Sequence, residues 1–207
     1  PFSGSMDKRN YLISNKLLGN KLNEPSLEFA YQGPLMKLHS GKVSGVITGN
    51  VTFNIIRKNS KIDKGICYET FILNDGDTLD IISTNKSVYG YFSIKNGFTG
   101  EYFWESCSIN TKAKIGSNNG EKFEAKQKIY INKKESLSDF KKINYLNSKI
   151  EYIRVLKGTN FNFFSEKAKE RGRPTYPKPT TQMLSSLLSN FIVFFIPMDE
   201  FSQSFFE

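Results

Sequence analysis

Two short stretches of this sequence bring together residue types that can do chemistry. In Pro1-Phe2-Ser3-Gly4-Ser5-Met6-Asp7, small residues let a ligand approach the backbone closely, and a hydroxyl, a carboxylate and a predicted helix start converge. In the second, Asn96-Gly97-Phe98 is followed by Trp104-Glu105-Ser106-Cys107-Ser108, small polar groups set among aromatic rings. Asp7 suits orienting water or a substrate, and equally suits capping a helix. A purely structural role accounts for each cluster as well as a functional one does.

Other candidates carry less. His39 is the single histidine, at the end of a predicted strand, and one histidine makes neither a metal site nor a Cys-His couple. Leu35-Met36-Lys37-Leu38 is superficially like the Met-Lys-Met tip that carries biotin, but it follows Gly33-Pro34 and continues a strand instead of crowning a hairpin. Asp75-Gly76-Asp77 lacks the closing acidic residue of a calcium loop and is read as a hairpin turn. No metal site is expected.

These stretches need a scaffold, and the pattern supplies one. Ser5, Met6 and Asp7 start a predicted helix over 6–18, with Met6, Ile13 and Leu17 on one stripe and Gly19-Asn20 as the left-handed stop. Short β-type runs then fill 26–131, with strands expected at 27–31, 35–39, 43–48, 51–56, 66–73, 78–83, 89–95 and 128–131. Gly, Asn and Asp clusters at 48–50, 74–77, 95–97 and 117–120 supply the turns. Many short strands at close spacing predict a closed or nearly closed antiparallel barrel with the helix packed on it.

The organisation expected is a β domain over 1–132 with its N-terminus clipped, a polar connector over 133–149, the start of a second domain over 150–170, and an atypical tail over 171–207. The tail holds four prolines and many phenylalanines without alternation, and three readings stay open: a Pro-rich linker with a terminal helix over 183–196, a Pro-rich ligand segment around 174–179, or an extension foreign to the fold, which is the one favoured.

A chain of 207 residues, 38% hydrophobic and 14% aromatic, can build a real core. Its net charge of +9 comes from scattered lysines rather than a basic block, which argues against a nucleic-acid partner. Cys67 and Cys107 are too few for a disulfide scaffold and favour a reducing compartment. No signal peptide opens the sequence, and the longest apolar run, 191–197, is far below the ~20 residues of a membrane span, so a cytoplasmic location without membrane contact is expected.

The motifs, taken in order, carry a family resemblance. Pro1…Ser3-Gly4-Ser5-Met6-Asp7, Leu18-Gly19-Asn20, Pro25-Ser26-Leu27-Glu28-Phe29 and Gly33-Pro34 resemble the start of the biotin-dependent carboxyltransferase or allophanate hydrolase subunit 2 family. That family includes the C-type component of bacterial 5-oxoprolinase, the KipA-type proteins and a domain of urea carboxylase. Gly76-Asp77-Thr78-Leu79, Gly90-Tyr91-Phe92-Ser93-Ile94 and Ile153-Arg154-Val155-Leu156-Lys157-Gly158 follow in the family's order. The sequence departs from the family's pattern at Asn96-Gly97-Phe98 and Glu105-Ser106-Cys107-Ser108, and segments expected before the first motif and late in the second half are missing.

The resemblance implies a mainly β, cyclophilin-like barrel with a short N-terminal helix and a truncated second barrel. It further implies a component of an ATP-dependent 5-oxoprolinase that opens 5-oxoproline to glutamate with A-type and B-type partner subunits, ATP being used by the complex. Such a site needs oxyanion and phosphate donors more than a strong nucleophile. Asp7, Ser106 and Ser108 are then the candidate catalytic residues, and Ser5, Asn96 and Gly97 the substrate-binding ones, through backbone N–H groups at 5–7 and at the Asn96-Gly97 turn. The alternatives are carboxyl transfer from biotin to urea or a related amide, and a KipA-type regulatory module.

Overall fold

The computed structural model describes residues 4–133, 135–144, 163, 165 and 166. The chain divides into two units, Pro1–Leu146 and Asn147–Glu207. The expectations for a tail over 171–207 and for Pro1, Phe2 and Ser3 lie outside the described residues, as does the second domain expected over 150–170 apart from 163, 165 and 166.

Among its described residues the first unit has one α-helix, a 3-10 turn (Asn118–Gly120) and nine strands: α1 (Lys8–Leu17), β1 (Leu27–Ala30), β2 (Leu35–Lys37), β3 (Lys42–Thr48), β4 (Val51–Ile56), β5 (Ile62–Lys64), β6 (Phe71–Asn74), β7 (Thr78–Thr84), β8 (Tyr89–Ile94) and β9 (Glu135–Ser136). They form two sheets, one ordered β1-β8-β3-β6 with β9 parallel to β3, the other β2-β7-β4-β5. The architecture is mainly β, as predicted. Among the described residues no ladder joins the two sheets, so they enclose the core as facing layers and not as one hydrogen-bonded ring.

The turns explain that arrangement. The segments 48–50 and 74–77 join β3 to β4 and β6 to β7, and each pair lies in different sheets, so both are corners and the second is not the hairpin turn the sequence suggests. At the second corner Gly76 has φ +85 and Asp77 is 3% exposed. The Asp77 carboxylate accepts from Asn74 N at 2.9 Å, Lys58 N at 3.1 Å and Arg57 Nη1 at 2.8 Å, while Arg57 Nε reaches Asp63 at 2.7 Å. Burial alone would raise the Asp77 pKa, but these hydrogen bonds outweigh it and hold the group below its ordinary value.

Strands β3 and β8 are buried on both faces. On one side Val43, Ile47, Phe92 and Ile94 join Phe53, Leu79 and Ile81 in the inter-sheet core. Gly90 is needed there, since a Cβ would stand 2.5 Å from the Phe29 ring. On the other side Val46 and Tyr68 meet Leu17 and Leu18 under α1. Each such fully buried side chain contributes roughly 1.5–3 kcal/mol.

Several local expectations are corrected. Asp7, not Ser5, caps α1, accepting from Asn10 N at 3.0 Å. Met6 is 65% exposed and stands off the apolar stripe, because its N–H is drawn to Glu28 at the helix entry. The strand expected over 66–73 begins only at Phe71, since Tyr68 adopts φ +60 and turns its hydroxyl toward Gly49 N. The strand expected over 128–131 is reduced to a bridge between Phe98 and Ile131. β5 is an unpredicted edge strand, and β9 lies within the segment read as a polar connector.

Candidate functional site

The helix rests on its sheet through a polar seam. Ser93 Oγ lies 2.7 Å from Ser14 Oγ and 2.6 Å from Ser26 Oγ. Tyr68 donates to Asn10 Oδ1 at 2.6 Å, and Thr48 to Asn10 O at 2.8 Å. The helix entry is fixed in the same way. Tyr91 donates its phenol proton to Glu28 Oε2 at 2.6 Å and accepts from Asp7 N at 2.7 Å, while Met6 N donates to the same Glu28 oxygen at 2.8 Å. Burial, then the bond to Glu28, drives the Tyr91 pKa upward, so the phenol stays protonated.

This network engages the donors expected to face a ligand. Met6 N and Asp7 N are bound as just described. Asn96 N donates to Asn20 Oδ1 at 2.9 Å and Gly97 N to Ile94 O at 3.0 Å, closing the left-handed turn (φ +67 and +69). The Asn96 side chain donates to Ser136 Oγ at 2.8 Å. Both Asp7 carboxylate oxygens accept from Asn10, one from its N–H and one from its side-chain amide at 2.6 Å. Asp7, Asn96 and Gly97 thus build the frame, with Ser5 half-buried beside it.

Ser106 and Ser108 are differently placed. Phe103 and Ser106 exchange backbone hydrogen bonds of 2.9 and 3.0 Å around a two-residue turn, with Trp104 at φ +48 and Glu105 at φ +62. Such a turn usually draws Asn or Gly, so this one is strained, and Trp104 is 86% exposed at its tip. Just after the turn Ser106 Oγ donates to Ser108 Oγ at 2.9 Å and accepts from Ser108 N at 3.1 Å. The Ser108 proton remains to be given elsewhere.

The helix and this loop meet at residues that pattern reading missed. Tyr11 donates to Glu24 O at 3.0 Å, and Glu24 packs against Gly97. Cys107 lies beside Tyr102 and Ser117, whose hydroxyl donates to Glu101 O at 2.7 Å, and feels the charge of Glu24. Burial first, then Cys107 and Glu24, pushes Tyr11 up to about 12, and burial first, then the bond to Cys107, does the same to Tyr102. Burial likewise raises the Cys107 and Cys67 thiols, so neither is an activated nucleophile. Only the tyrosine hydroxyls and the cysteine near Trp104 could have flagged this node. Among the described residues no group of three or more His, Cys, Asp and Glu is placed to hold a metal ion, and no helix is long and apolar enough to cross a membrane.

Two facing sheets with one helix across the central strands place this chain in a fold seen in solved structures. It superposes on the crystal structure of TTHA0988 with a TM-score of 0.60 at 21% identity, covering 70% of this chain and 51% of that one. The Kluyveromyces lactis urea carboxylase gives 0.59 at 23% identity over 64% of this chain and 11% of that protein. The family model for the carboxyltransferase domain, subdomains A and B, matches residues 1–173, and the chain belongs to that family. In sequence it is 24% identical over 138 residues to the urea amidolyase of Lachancea kluyveri, spanning 67% of this chain but 7% of that protein.

Proposed function

We propose that this chain forms part of an enzyme that transfers a carboxyl group to the nitrogen of a small amide of the urea type. The supporting observation is the carboxyltransferase match over residues 1–173, which agrees with the likeness in fold to urea carboxylase. Carboxylated biotin, arriving as a substrate, supplies an activated carboxyl group when bound. The donor N–C bond breaks, a new N–C bond forms to the amide nitrogen, and that nitrogen's proton passes to the donor's ring nitrogen.

This chain's share is orientation. A flat ureido ring needs hydrogen-bonding groups and an aromatic wall, and the Ser106–Ser108 pair beside the exposed Tyr102, Phe103 and Trp104 rings offers both. Ser106 and Ser108 act on the substrate's amide oxygen. Asp7, Asn96 and Gly97 hold the two segments in place, with Ser5 beside the helix entry. The four N–H groups at Met6, Asp7, Asn96 and Gly97 do not fit a phosphate cradle, because each already has an internal acceptor.

A second reading is lactam opening of 5-oxoproline, with ATP held by A-type and B-type partner subunits. It is favoured by the chain's reaching 27–51% of TTHA0988 in its three crystal forms against 8% of urea amidolyase, so that the fold also occurs in chains shorter than urea amidolyase. Incubating the purified chain with carboxylated biotin and urea, and separately with both partner subunits, ATP and 5-oxoproline, separates the two. N-carboxylated urea supports the first reading, ATP-dependent glutamate the second. Absence of both products would leave a regulatory binding module.

A further inference from the structure

Beside the Asn96 turn, the C-terminal end of α1 and the residues after β9 enclose a depression of about 320 Å³, whose lining includes Gly19, Lys95, Ser138, Asp139 and Lys141. Lys95 Nζ donates to Gly19 O at 2.8 Å, as suits a cation at a helix C-terminus. A side-chain carbon on Gly19 would stand 3.5 Å from Lys95 Nζ and 4.0 Å from Lys141 Nζ. Two ammonium groups therefore face one point that glycine leaves open. In the same lining Ser138 N is fixed by Ser44 Oγ at 3.0 Å, while the Ser138 hydroxyl oxygen is sealed inside the protein, out of a ligand's reach.

We propose that this depression is a carboxylate subsite that takes the carboxylate of a small amido acid. The preference for a carboxylate rests on the charges, and the amido acid on the function proposed above. Lys95, Lys141 and Asp139 sum to one positive charge, which matches a monoanion better than a phosphate dianion. Both readings supply such a group: the N-carboxylated amide is the product of transfer, and 5-oxoproline is itself a carboxylate beside an amide.

Calorimetry on the whole chain at low salt tests this with four probes and inorganic phosphate. Oxamate stands in for the N-carboxylated amide, and 5-oxoproline for the lactam acid. Urea and 2-pyrrolidinone are their neutral counterparts. At least one acid binds and its neutral counterpart does not, oxamate alone pointing to the transfer product and 5-oxoproline alone to the lactam. Lys141→Gln weakens binding by about tenfold, and Asp139→Asn tightens it about threefold. Neutral probes binding as well as the acids, neither acid binding, phosphate binding more tightly than both, or indifference to Lys141→Gln and Asp139→Asn would overturn the subsite. Loss of acid binding in Lys141→Gln with turnover intact would separate the subsite from the reaction and count against this proposal alone.

Discussion

Replacing Tyr91 by Phe tests whether the helix entry is held by one phenol. The ring is 1% exposed and packs 6.2 Å from the Tyr11 ring, contacts that Phe retains. What goes is the hydroxyl bridging Asp7 N at 2.7 Å and Glu28 Oε2 at 2.6 Å. A hydrogen bond to a charged acceptor contributes about 1.5–3 kcal/mol, and leaving a part-buried N–H unpaired costs about 1–3 kcal/mol more. Water reaching the exposed Glu28 offsets part of this, so the net loss expected is about 2 kcal/mol. For a protein of this size that lowers Tm by roughly 4–8 °C. Thermal unfolding followed by circular dichroism reads the shift, and hydrogen exchange should show the Met6 and Asp7 amides and the first turn of α1 opening faster. A Tm within about 1 °C of the parent, with the Asp7 amide equally protected, would refute the anchoring role.

Asp77→Ala removes the acceptor that closes the β6–β7 corner and should cost about 3 kcal/mol in urea unfolding. Because the Asp77 pKa is lowered in the folded state, its contribution is complete above the unfolded value near ~4 and disappears as pH falls through the folded value, so the parent and Asp77→Asn should converge in acid. At the alkaline end Tyr11 and Tyr102, both near 12, and Tyr91 are raised, so their stabilisation is present below the unfolded value of ~10 and is lost as pH rises through the folded ones. Absorbance of phenolate against pH should therefore show a late-titrating class that shrinks in Tyr91→Phe. Ser106→Ala and Ser108→Ala should leave Tm within about 1 °C and lower turnover of the assembled enzyme at least about tenfold, whereas Asp7→Ala should cost about 1 kcal/mol of stability through the lost cap. The reverse pattern would move the chemistry to Asp7.

Most of the β domain is legible in the residue pattern. Runs such as 43–48, 51–56 and 89–94 are too apolar and β-branched to be anything but buried strands, and Gly19 stops the helix where its left-handed φ is needed. The ordered motifs point to the family, which the match over residues 1–173 bears out. Edge strand β5, three residues long and mixing Ile with Asp and Lys, gives too little alternation to be seen. Where the polar groups go is settled by packing across the chain. Glu28 and Tyr91 stand 63 residues apart, and Asn20 and Asn96 stand 76 apart, yet each pair claims a donor or acceptor that the local motif left open. A motif fixes which hydrogen-bonding groups exist at a turn or a helix start. Which of them stay open to a substrate depends on the partners that distant strands bring alongside, because leaving a buried donor without an acceptor is costly.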